Sequence, residues 1–339
     1  MICFSSLLPQ KFSKEAVAIL TALKKYDVSY RPLDRTKDIW LRDFMPVRTG
    51  SGKLVSFRYE PSYLKNDPDL RTDFRKDLAP QLGLPVTYRN INLDGGNVVF
   101  SPSGERVLIS DRVFFENPEY PPAALVHELS ELLEAEVLII PSLKSDMTGH
   151  ADGMARFLDD RTVLCNRPLS SCGFEQKVKR SVRDYGLDAV DFPFVPTGRI
   201  SAVGCYLNYL ETEQTVFLPV FGIEQDAEAE ASARQIFHKE IVIVNIREIA
   251  QQGGCLTASA GRTRMHNERH LKNTPEYRSG MFRIVSCPVC GHPTLDMYWI
   301  CEHCGWEYDN ELQTEDEESP CNGMSLRAYR ALYKIGGTP

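Results

Sequence analysis

Apolar residues recur at helical spacing in five separate stretches of the chain. The predicted amphipathic helices begin near Lys14, Pro68, Pro121, Phe174 and Asp226. The intervals between these starts are 54, 53, 53 and 52 residues. A helix with apolar positions on one face packs that face against a core. The regular interval therefore predicts five copies of one structural unit.

A short apolar segment of strand length follows each predicted helix. These segments are Val28–Leu33, Val86–Ile91, Val137–Ile140, Ala189–Phe194 and Ile241–Ile246. Hairpin turns are predicted at Pro102–Gly104, Asp159–Asp160 and Glu211–Gln214. A period near fifty residues favours a closed ring of α/β blades over the alternative, an open doubly wound sheet.

The composition describes an acidic globular chain. With 42% hydrophobic residues over 339 positions, it can bury one large core or two unequal ones. A net charge of −7 argues against a nucleic-acid partner. No transmembrane helix and no signal peptide is predicted, so we expect a cytoplasmic protein that does not bind membranes. In that compartment the ten cysteines are expected to be metal ligands, core residues or a nucleophile.

Chemically distinctive residues occupy the loops that follow the five predicted strands. The loops read KDIWLRD (Lys37–Asp43), LDGGN (Leu93–Asn97), TGHADG (Thr148–Gly153), AVGCYLN (Ala202–Asn208) and QQGGCLTAS (Gln251–Ser259). In a ring, equivalent loops meet near the axis, which would bring together Asp43, Asp94, His150, Asp152 and Cys255. A thiol and an imidazole suit nucleophilic attack with acid–base help. Three carboxylates would hold a planar guanidinium, whose N–H donors match carboxylate geometry.

Each of these residues also has a structural interpretation. A lone cysteine such as Cys255 is more often a small core residue. His150 taken alone is more often a hydrogen-bonded loop histidine. Asp43 next to Arg42 is equally consistent with a structural ion pair, and Asp94 before two glycines with a turn residue. Their joint occurrence in equivalent loops favours the catalytic interpretation.

Four motifs in order, WLRDFMP, LDGGN, GHADGMARFLD and GGCLTAS, resemble the agmatine deiminase branch of the guanidino-group-modifying superfamily. That branch also contains bacterial peptidyl-arginine deiminases. The resemblance covers roughly residues 1–265 and implies the family's fold, a five-bladed pseudo-symmetric α/β propeller called the pentein fold. It implies that Cys255 is the nucleophile, that His150 is the general acid–base, and that Asp94 orients the histidine.

The same resemblance implies the residues that bind the substrate. Asp43 and Asp152 would grip the guanidinium, with Trp40, Arg42 and Asn97 beside them. The implied reaction is hydrolysis of a guanidino group through a cysteine thiouronium intermediate, which releases ammonia and a ureido product without a catalytic cofactor. Agmatine, arginine, a peptidyl arginine and other guanidines stay open as substrates, and agmatine would imply putrescine and polyamine synthesis.

This sequence departs from the family pattern at two places in the site. Agmatine deiminases usually carry glutamate where Asp94 stands, so the carboxylate here is shorter by one methylene. Their cysteine usually follows a histidine, whereas Gly254 precedes Cys255 here. The chain is also shorter than typical agmatine deiminases. These departures bear on the substrate more than on the reaction.

The repeat pattern ends near Asn267. We therefore predict a propeller domain over residues 1–267, a linker over 268–283 and a second domain over 284–339. In the second domain, two C-x-x-C pairs enclose ten residues, a spacing typical of a structural zinc site. The predicted ligands are Cys287, Cys290, Cys301 and Cys304. Free thiols or redox pairs are the alternative. Residues 284–335 also resemble the bacterial cysteine-rich CPCC-type module.

Three classes of function are compatible with these observations. The first is a deiminase that acts on a small guanidino substrate or a peptidyl arginine. The second is an amidinotransferase, which shares the thiouronium intermediate and passes the amidino group to an amine. The third is a non-catalytic binding protein that recruits a protein partner through the C-terminal module. The complete set of five site residues favours a catalyst.

Overall fold

The computed structural model describes residues 1–169, 173–195, 200–262, 284–295, 300–301, 303–309 and 312–334. Within these residues the chain forms five three-stranded sheets that repeat one pattern. In each sheet, the central strand pairs antiparallel with one neighbour and parallel with the other. Helical segments connect the two parallel strands, as expected for a parallel crossover.

The strands of the repeat are short. The first sheet holds β1 (Ile2–Ser5), β2 (Tyr30–Leu33) and β15 (Ala260–Arg262). The second sheet holds β3 (Val47–Arg48), β4 (Leu54–Arg58) and β5 (Val86–Asn92). The third sheet holds β6 (Val99–Phe100), β7 (Arg106–Ser110) and β8 (Glu136–Ile140). The fourth sheet holds β9 (Ala155–Phe157), β10 (Thr162–Asn166) and β11 (Asp188–Phe192). The fifth sheet holds β12 (Leu210–Glu211), β13 (Thr215–Val220) and β14 (Glu240–Asn245). All five predicted strands and all three predicted hairpins are confirmed, and each of these strands is the parallel neighbour of the central strand in its sheet.

The α-helices lie between the strands and at the start of the connecting loops. They are α1 (Leu7–Lys11), α2 (Ser13–Lys25), α3 (Leu41–Phe44), α4 (Ala79–Leu82), α5 (Arg112–Glu116), α6 (Pro122–Leu133), α7 (Phe174–Asp184), α8 (Asp226–Ile236), α9 (Arg247–Ala250) and α10 (Leu326–Lys334). Single 3-10 turns span Ser62–Leu64, Pro68–Leu70, Gly95–Asn97 and Ala151–Gly153, and a π-helical turn spans Phe74–Leu78.

Four of the five predicted helices form where the apolar pattern placed them, as α2, α6, α7 and α8. The prediction was wrong for the second unit. Pro68 begins a single 3-10 turn, and the longer helical stretch begins at Phe74. Its buried residues are Phe74, Leu78 and Leu82, so its apolar face starts six residues later than predicted. Asp73 fixes this later start, because its side chain accepts a hydrogen bond from the amide of Lys76 at 3.2 Å.

The two ends of the repeat meet in the first sheet. Strand β15, which follows the fifth unit, pairs antiparallel with β1 at the start of the chain. The largest buried apolar cluster likewise joins the first and fifth units, since Phe4 and Leu20 share it with Tyr209 and Phe217. Burying a side chain of this size contributes about 1.5–3 kcal/mol, so this junction is a major part of the core.

The C-terminal segment has a small core of its own. It contains β16 (Ile284–Ser286), β17 (Pro293–Leu295), β18 (Glu318–Ser319), β19 (Met324–Ser325) and helix α10. Trp306 packs edge-on against Tyr329 with ring centroids 4.9 Å apart. Two tryptophans of this segment are candidates for its core: Trp306 is buried there, and Trp299 lies outside the described residues. The hairpin of β16 and β17 lies against α2.

The predicted linker, 268–283, also lies outside the described residues, so the domain boundaries stay predictions. None of the helices that the structure describes combines the length and apolarity needed to cross a bilayer.

Candidate active site

The loops that follow the parallel strands converge on one cavity of about 680 Å³. Its lining includes Trp40, Asp43, His150, Asp152 and Cys255, which come from three separate loops. Among the sequence-predicted catalytic residues, only Asp94 is absent from the lining. It hydrogen-bonds two residues that do line the cavity, His150 and Tyr63. The repeat therefore brings together the residues that the motifs singled out.

His150 lies between two carboxylates. Its Nε2 is 2.8 Å from Oδ2 of Asp94, and its Nδ1 is 3.6 Å from Oδ1 of Asp43. The same Oδ1 of Asp43 accepts a hydrogen bond from the backbone amide of Gly96 at 3.1 Å. The imidazole is thus held by a hydrogen bond at Nε2 and lies within ion-pair distance of a second carboxylate at Nδ1, an orientation that suits a general acid–base.

The two glycines of LDGGN allow this close approach. A Cβ at Gly96 would lie 2.5 Å from Nδ1 of His150 and 2.6 Å from Oδ1 of Asp43. A Cβ at Gly95 would overlap the carbonyl oxygen of Arg42. Both glycines are therefore needed for the loops to meet, a stronger requirement than the turn geometry considered from the sequence.

The pKa values of Asp43 and His150 are both raised in this buried and charged environment. Burial, with help from Asp94 and Asp152, raises the pKa of Asp43 to about 7, although His150 opposes the shift. Burial alone would lower the pKa of His150, but the carboxylates of Asp43 and Asp94 outweigh it and raise that pKa to about 10. His150 is therefore protonated at neutral pH and compensates the buried negative charge.

Asp152 has an oxygen that the protein leaves available. The residue is 4% exposed, and its Oδ2 is buried without a hydrogen-bond partner among the described residues. Burial raises the pKa of Asp152, while His150 and Arg42 oppose that rise. A buried carboxylate oxygen without a donor costs free energy, and a cationic N–H donor in the cavity would remove that cost.

Cys255 lies at the base of the cavity with no solvent exposure. Its Sγ contacts the backbone carbonyl oxygens of Ala202 at 3.5 Å and Cys205 at 3.8 Å. Burial, with Cys205 and Asp152 nearby, raises the pKa of the Cys255 thiol well above its usual range. Without a cation beside it the thiol is therefore protonated, and a bound cation would favour the thiolate.

Trp40 forms a wall of the cavity because Gly254 has no side chain. A Cβ at Gly254 would overlap the six-membered ring of Trp40. The indole ring thus occupies the space beside the backbone that precedes Cys255. Where the family usually has a histidine before the cysteine, Gly254 in this chain therefore leaves room for the Trp40 ring.

Two predicted substrate-binding residues support the cavity from behind and are absent from its lining. The Asn97 side chain accepts hydrogen bonds from the amides of Ser110 at 2.8 Å and Ala151 at 3.2 Å. It thereby holds the backbone next to His150. Arg42 donates through Nη2 to the carbonyl oxygen of Val98 at 2.6 Å. Neither residue is part of the cavity lining, and a role of either in binding substrate stays a prediction.

Sequence reasoning missed a tyrosine that belongs to the site. Tyr63 lines the cavity and donates its hydroxyl to Oδ2 of Asp94 at 2.8 Å. Tyr59 lies beside Tyr63 in the same lining. Asn208, another lining residue, lies near Asp152 and opposes the upward shift of the Asp152 pKa caused by burial. Tyr63 lies in the segment between two parallel strands, where the motifs gave no signal.

The four cysteines of the C-terminal segment form a compact cluster. Their sulfur atoms all lie within 4.8 Å of one another. The Cys287–Cys304 and Cys290–Cys301 sulfur pairs are 3.5 and 3.6 Å apart. The two C-x-x-C pairs therefore converge on a single point, as a metal site requires.

The family described as Porphyromonas-type peptidyl-arginine deiminase matches residues 7–260. The chain belongs to this family. The cysteine-rich CPCC family matches residues 285–338. Both resemblances found in the sequence are confirmed, and so is the expected enzyme class, a deiminase. Among curated proteins, none matches the chain significantly.

Solved deiminase structures share the fold of this chain. A putative peptidyl-arginine deiminase has a TM-score of 0.64 and 17% identity, over 78% of this chain and 95% of that one. The C. jejuni agmatine deiminase has a TM-score of 0.62 and 16% identity, over 77% of this chain and 92% of that one. A putative arginine deiminase from Porphyromonas gingivalis has a TM-score of 0.62 and 19% identity, over 77% of this chain and 94% of that one. At these identities the likeness establishes the fold, an α/β fold of the pentein type.

Proposed function

We propose that this deiminase hydrolyses a guanidino group through a covalent adduct on Cys255. The observation that carries the proposal is the unpartnered, buried Oδ2 of Asp152 in the same cavity as Asp43, His150 and Cys255. Two carboxylates facing one cavity suit a planar cation with several N–H donors. Structural neighbours named agmatine deiminases, one of them described with substrate bound, support a guanidine of that type.

The proposed chemistry uses only groups of this chain and water. Asp43 and Asp152 bind the guanidinium and favour attack at its carbon. The bound cation lowers the pKa of the thiol, so the thiol loses its proton to water, and the Cys255 thiolate adds to that carbon. His150 protonates one amino group, the C–N bond breaks and ammonia leaves. His150 then takes a proton from water, and the hydroxide attacks the thiouronium carbon to give a tetrahedral adduct. The C–S bond breaks, the hydroxyl proton of the adduct passes to the Cys255 sulfur, and the ureido product leaves.

We also propose that the five sheets close into a ring of five blades. The pairing of β15 with β1 supports closure, because it joins the last unit of the repeat to the first. A cytoplasmic location is proposed with it, since the protein would use its cysteines as thiols and metal ligands.

We further propose that the cysteine cluster binds one structural zinc ion. Zinc–thiolate bonds of about 2.3 Å in a tetrahedron place the sulfur atoms about 3.8 Å apart. The paired sulfurs at 3.5 and 3.6 Å fit that geometry. The metal would stabilise a segment too small for a large core, and it has no part in the proposed reaction.

Ammonia release from a panel of guanidino compounds tests the proposal. Agmatine, arginine and an arginine peptide are assayed without an added amine acceptor, which separates hydrolysis from amidino transfer. Cys255→Ala should abolish turnover on the compound that the wild type uses. Cys165→Ala is the matched control, because Cys165 is equally buried but lies outside the cavity. Wild-type turnover by the Cys255→Ala protein would refute the mechanism.

A further inference from the structure

We propose that the outer part of the catalytic cavity binds an apolar tail of the substrate, so that the guanidino group is carried on an alkyl or aryl chain without a charged group at its far end. The inference rests on the proposed function and names its substrate class. It starts from an unusual surface. Large apolar side chains that are exposed to solvent gather around the mouth of this one cavity.

Four such side chains line the cavity at its mouth. Leu70 is 37% exposed, Leu143 39%, Met147 45% and Ile200 61%. They come from three separate segments of the chain, which follow β4, β8 and β11. Scattered exposed apolar residues are normal, whereas apolar residues from several segments that meet around a cavity mark a binding surface.

The size of the cavity points the same way. A volume of about 680 Å³ lies in the range that encloses a drug-sized ligand. A guanidinium group has four heavy atoms and occupies only the part of the cavity next to Asp43, Asp152 and Cys255. Most of the cavity is therefore left for the substituent.

Most acidic groups near the mouth already have partners. Asp38 pairs with Lys11 at 3.7 Å and accepts the amide of Ile39 at 2.7 Å. Asp146 accepts the amide and the hydroxyl of Thr148 at 2.9 and 3.1 Å. Neither carboxylate calls for a second cation in the substrate.

Glu175, in the first turn of α7, is the remaining acidic residue of the mouth. It is the group that would attract an amine at the far end of a substrate such as agmatine. A comparison of a guanidine that carries an apolar tail with one that carries an aminoalkyl tail therefore shows which kind of substrate the outer part of the cavity binds.

Agmatine and pentylguanidine form a matched pair, because a methyl group replaces the terminal amine. We expect pentylguanidine to have the higher kcat/KM. Across butyl-, pentyl- and hexylguanidine, kcat/KM should rise about fourfold per buried methylene. A flat series would overturn the proposal. So would faster turnover of agmatine whose advantage is lost in Glu175→Gln.

Ile200→Thr should reduce the dependence on chain length. Ile243→Thr is the control, since Ile243 is 50% exposed and lies outside the cavity. An unchanged slope in Ile200→Thr and in a Leu143→Asn/Ile200→Thr double variant would count against the subsite. Calorimetric binding of the same guanidines to the Cys255→Ala protein separates the two proposals. If affinity rises with chain length but the wild-type protein turns over none of these guanidines, the subsite is kept and the hydrolase is rejected. If affinity does not depend on chain length, the subsite is rejected.

Discussion

Tyr63→Phe should weaken catalysis while the protein stays folded. The hydroxyl of Tyr63 donates to the Asp94 oxygen that also holds His150, so two hydrogen bonds meet on one atom. Removing one of them leaves Asp94 freer to rotate away from the imidazole. Tyr63 would therefore act as a positioning residue, through Asp94, on the general acid–base.

The magnitude follows from the kind of bond that is lost. A hydrogen bond to a charged group contributes about 1.5–3 kcal/mol. About 1.4 kcal/mol corresponds to a tenfold change in rate. If roughly half of the larger value is expressed in the transition state, kcat falls about tenfold. The KM value should change less, because Asp43 and Asp152 remain in place.

The pH profile separates positioning from a general loss of stability. The carboxylate of Asp94 is one of the charges that raise the pKa of His150 to about 10. A less constrained Asp94 raises it less, so the alkaline limb of kcat/KM should move to lower pH in Tyr63→Phe. A structural role alone would leave that limb unchanged.

Tyr206→Phe is the matched control for this variant. Tyr206 donates to Asp226 at 2.8 Å, the same distance as the Tyr63 bond, and lies outside the cavity lining. Both variants should lower the melting temperature by similar amounts, and only Tyr63→Phe should alter kcat and the alkaline limb. Wild-type kinetics in Tyr63→Phe, or the same shift in Tyr206→Phe, would refute the reasoning.

Four other outcomes follow from the same structure. Asp94→Glu should retain more activity than Asp94→Asn in steady-state assays, because only a carboxylate can hold the protonated His150; equal activities would contradict this. KM should fall as pH rises from 6 to 8, since Asp43, with a pKa of about 7 in the empty site, must lose its proton to bind a cation; a flat KM would count against that role. Gly254→Ala should cut kcat/KM at least tenfold by displacing the neighbouring indole ring, while a melting curve reports the fold. Mass spectrometry under native conditions should find one zinc per chain, lost in Cys301→Ser and kept in the control Cys321→Ser.

The sequence was enough to predict the repeating units because their pattern is local. Apolar spacing of 3.6 residues and short apolar strands depend only on neighbouring positions. The error at Pro68 has the same origin. The stretch from Pro68 to Asp73 is mostly polar and its one large apolar residue, Leu70, is exposed. The buried apolar face begins at Phe74, so the regular interval misled where the local pattern was weak.

Contacts between loops were harder to predict. The sequence placed Asp43, Asp94 and His150 in equivalent loops, and the structure brings them together. It gave no sign that Gly96 is needed for their approach, because that need arises from atoms more than fifty residues away in the chain. It also missed Tyr63, which lies in a polar segment bounded by prolines and reaches Asp94 only through the folded chain.

Arg42 and Asn97 illustrate the limit of carrying roles over from a motif. Both stand within the motifs that define the site, and both were expected to bind substrate. The structure places their side chains against backbone groups, where Asn97 holds the amide of Ala151 and Arg42 holds the carbonyl oxygen of Val98. A motif residue can thus be required by the geometry of a site without facing the cavity.

The charge balance of the cavity separates a catalytic from a structural interpretation. Asp43, Asp94 and Asp152 are each at most 8% exposed, and every buried carboxylate carries a desolvation cost of several kcal/mol. The protonated His150 compensates Asp43 and Asp94, and Arg42 and Arg156 partly compensate the charge of Asp152, but Oδ2 of Asp152 is left without a hydrogen-bond donor in the described part of the chain. A core selected for stability alone would pair or remove that oxygen. A planar cation beside Cys255 would complete the hydrogen bonding and favour the thiolate, so the same deficit that destabilises the empty site prepares it to bind and activate a guanidinium.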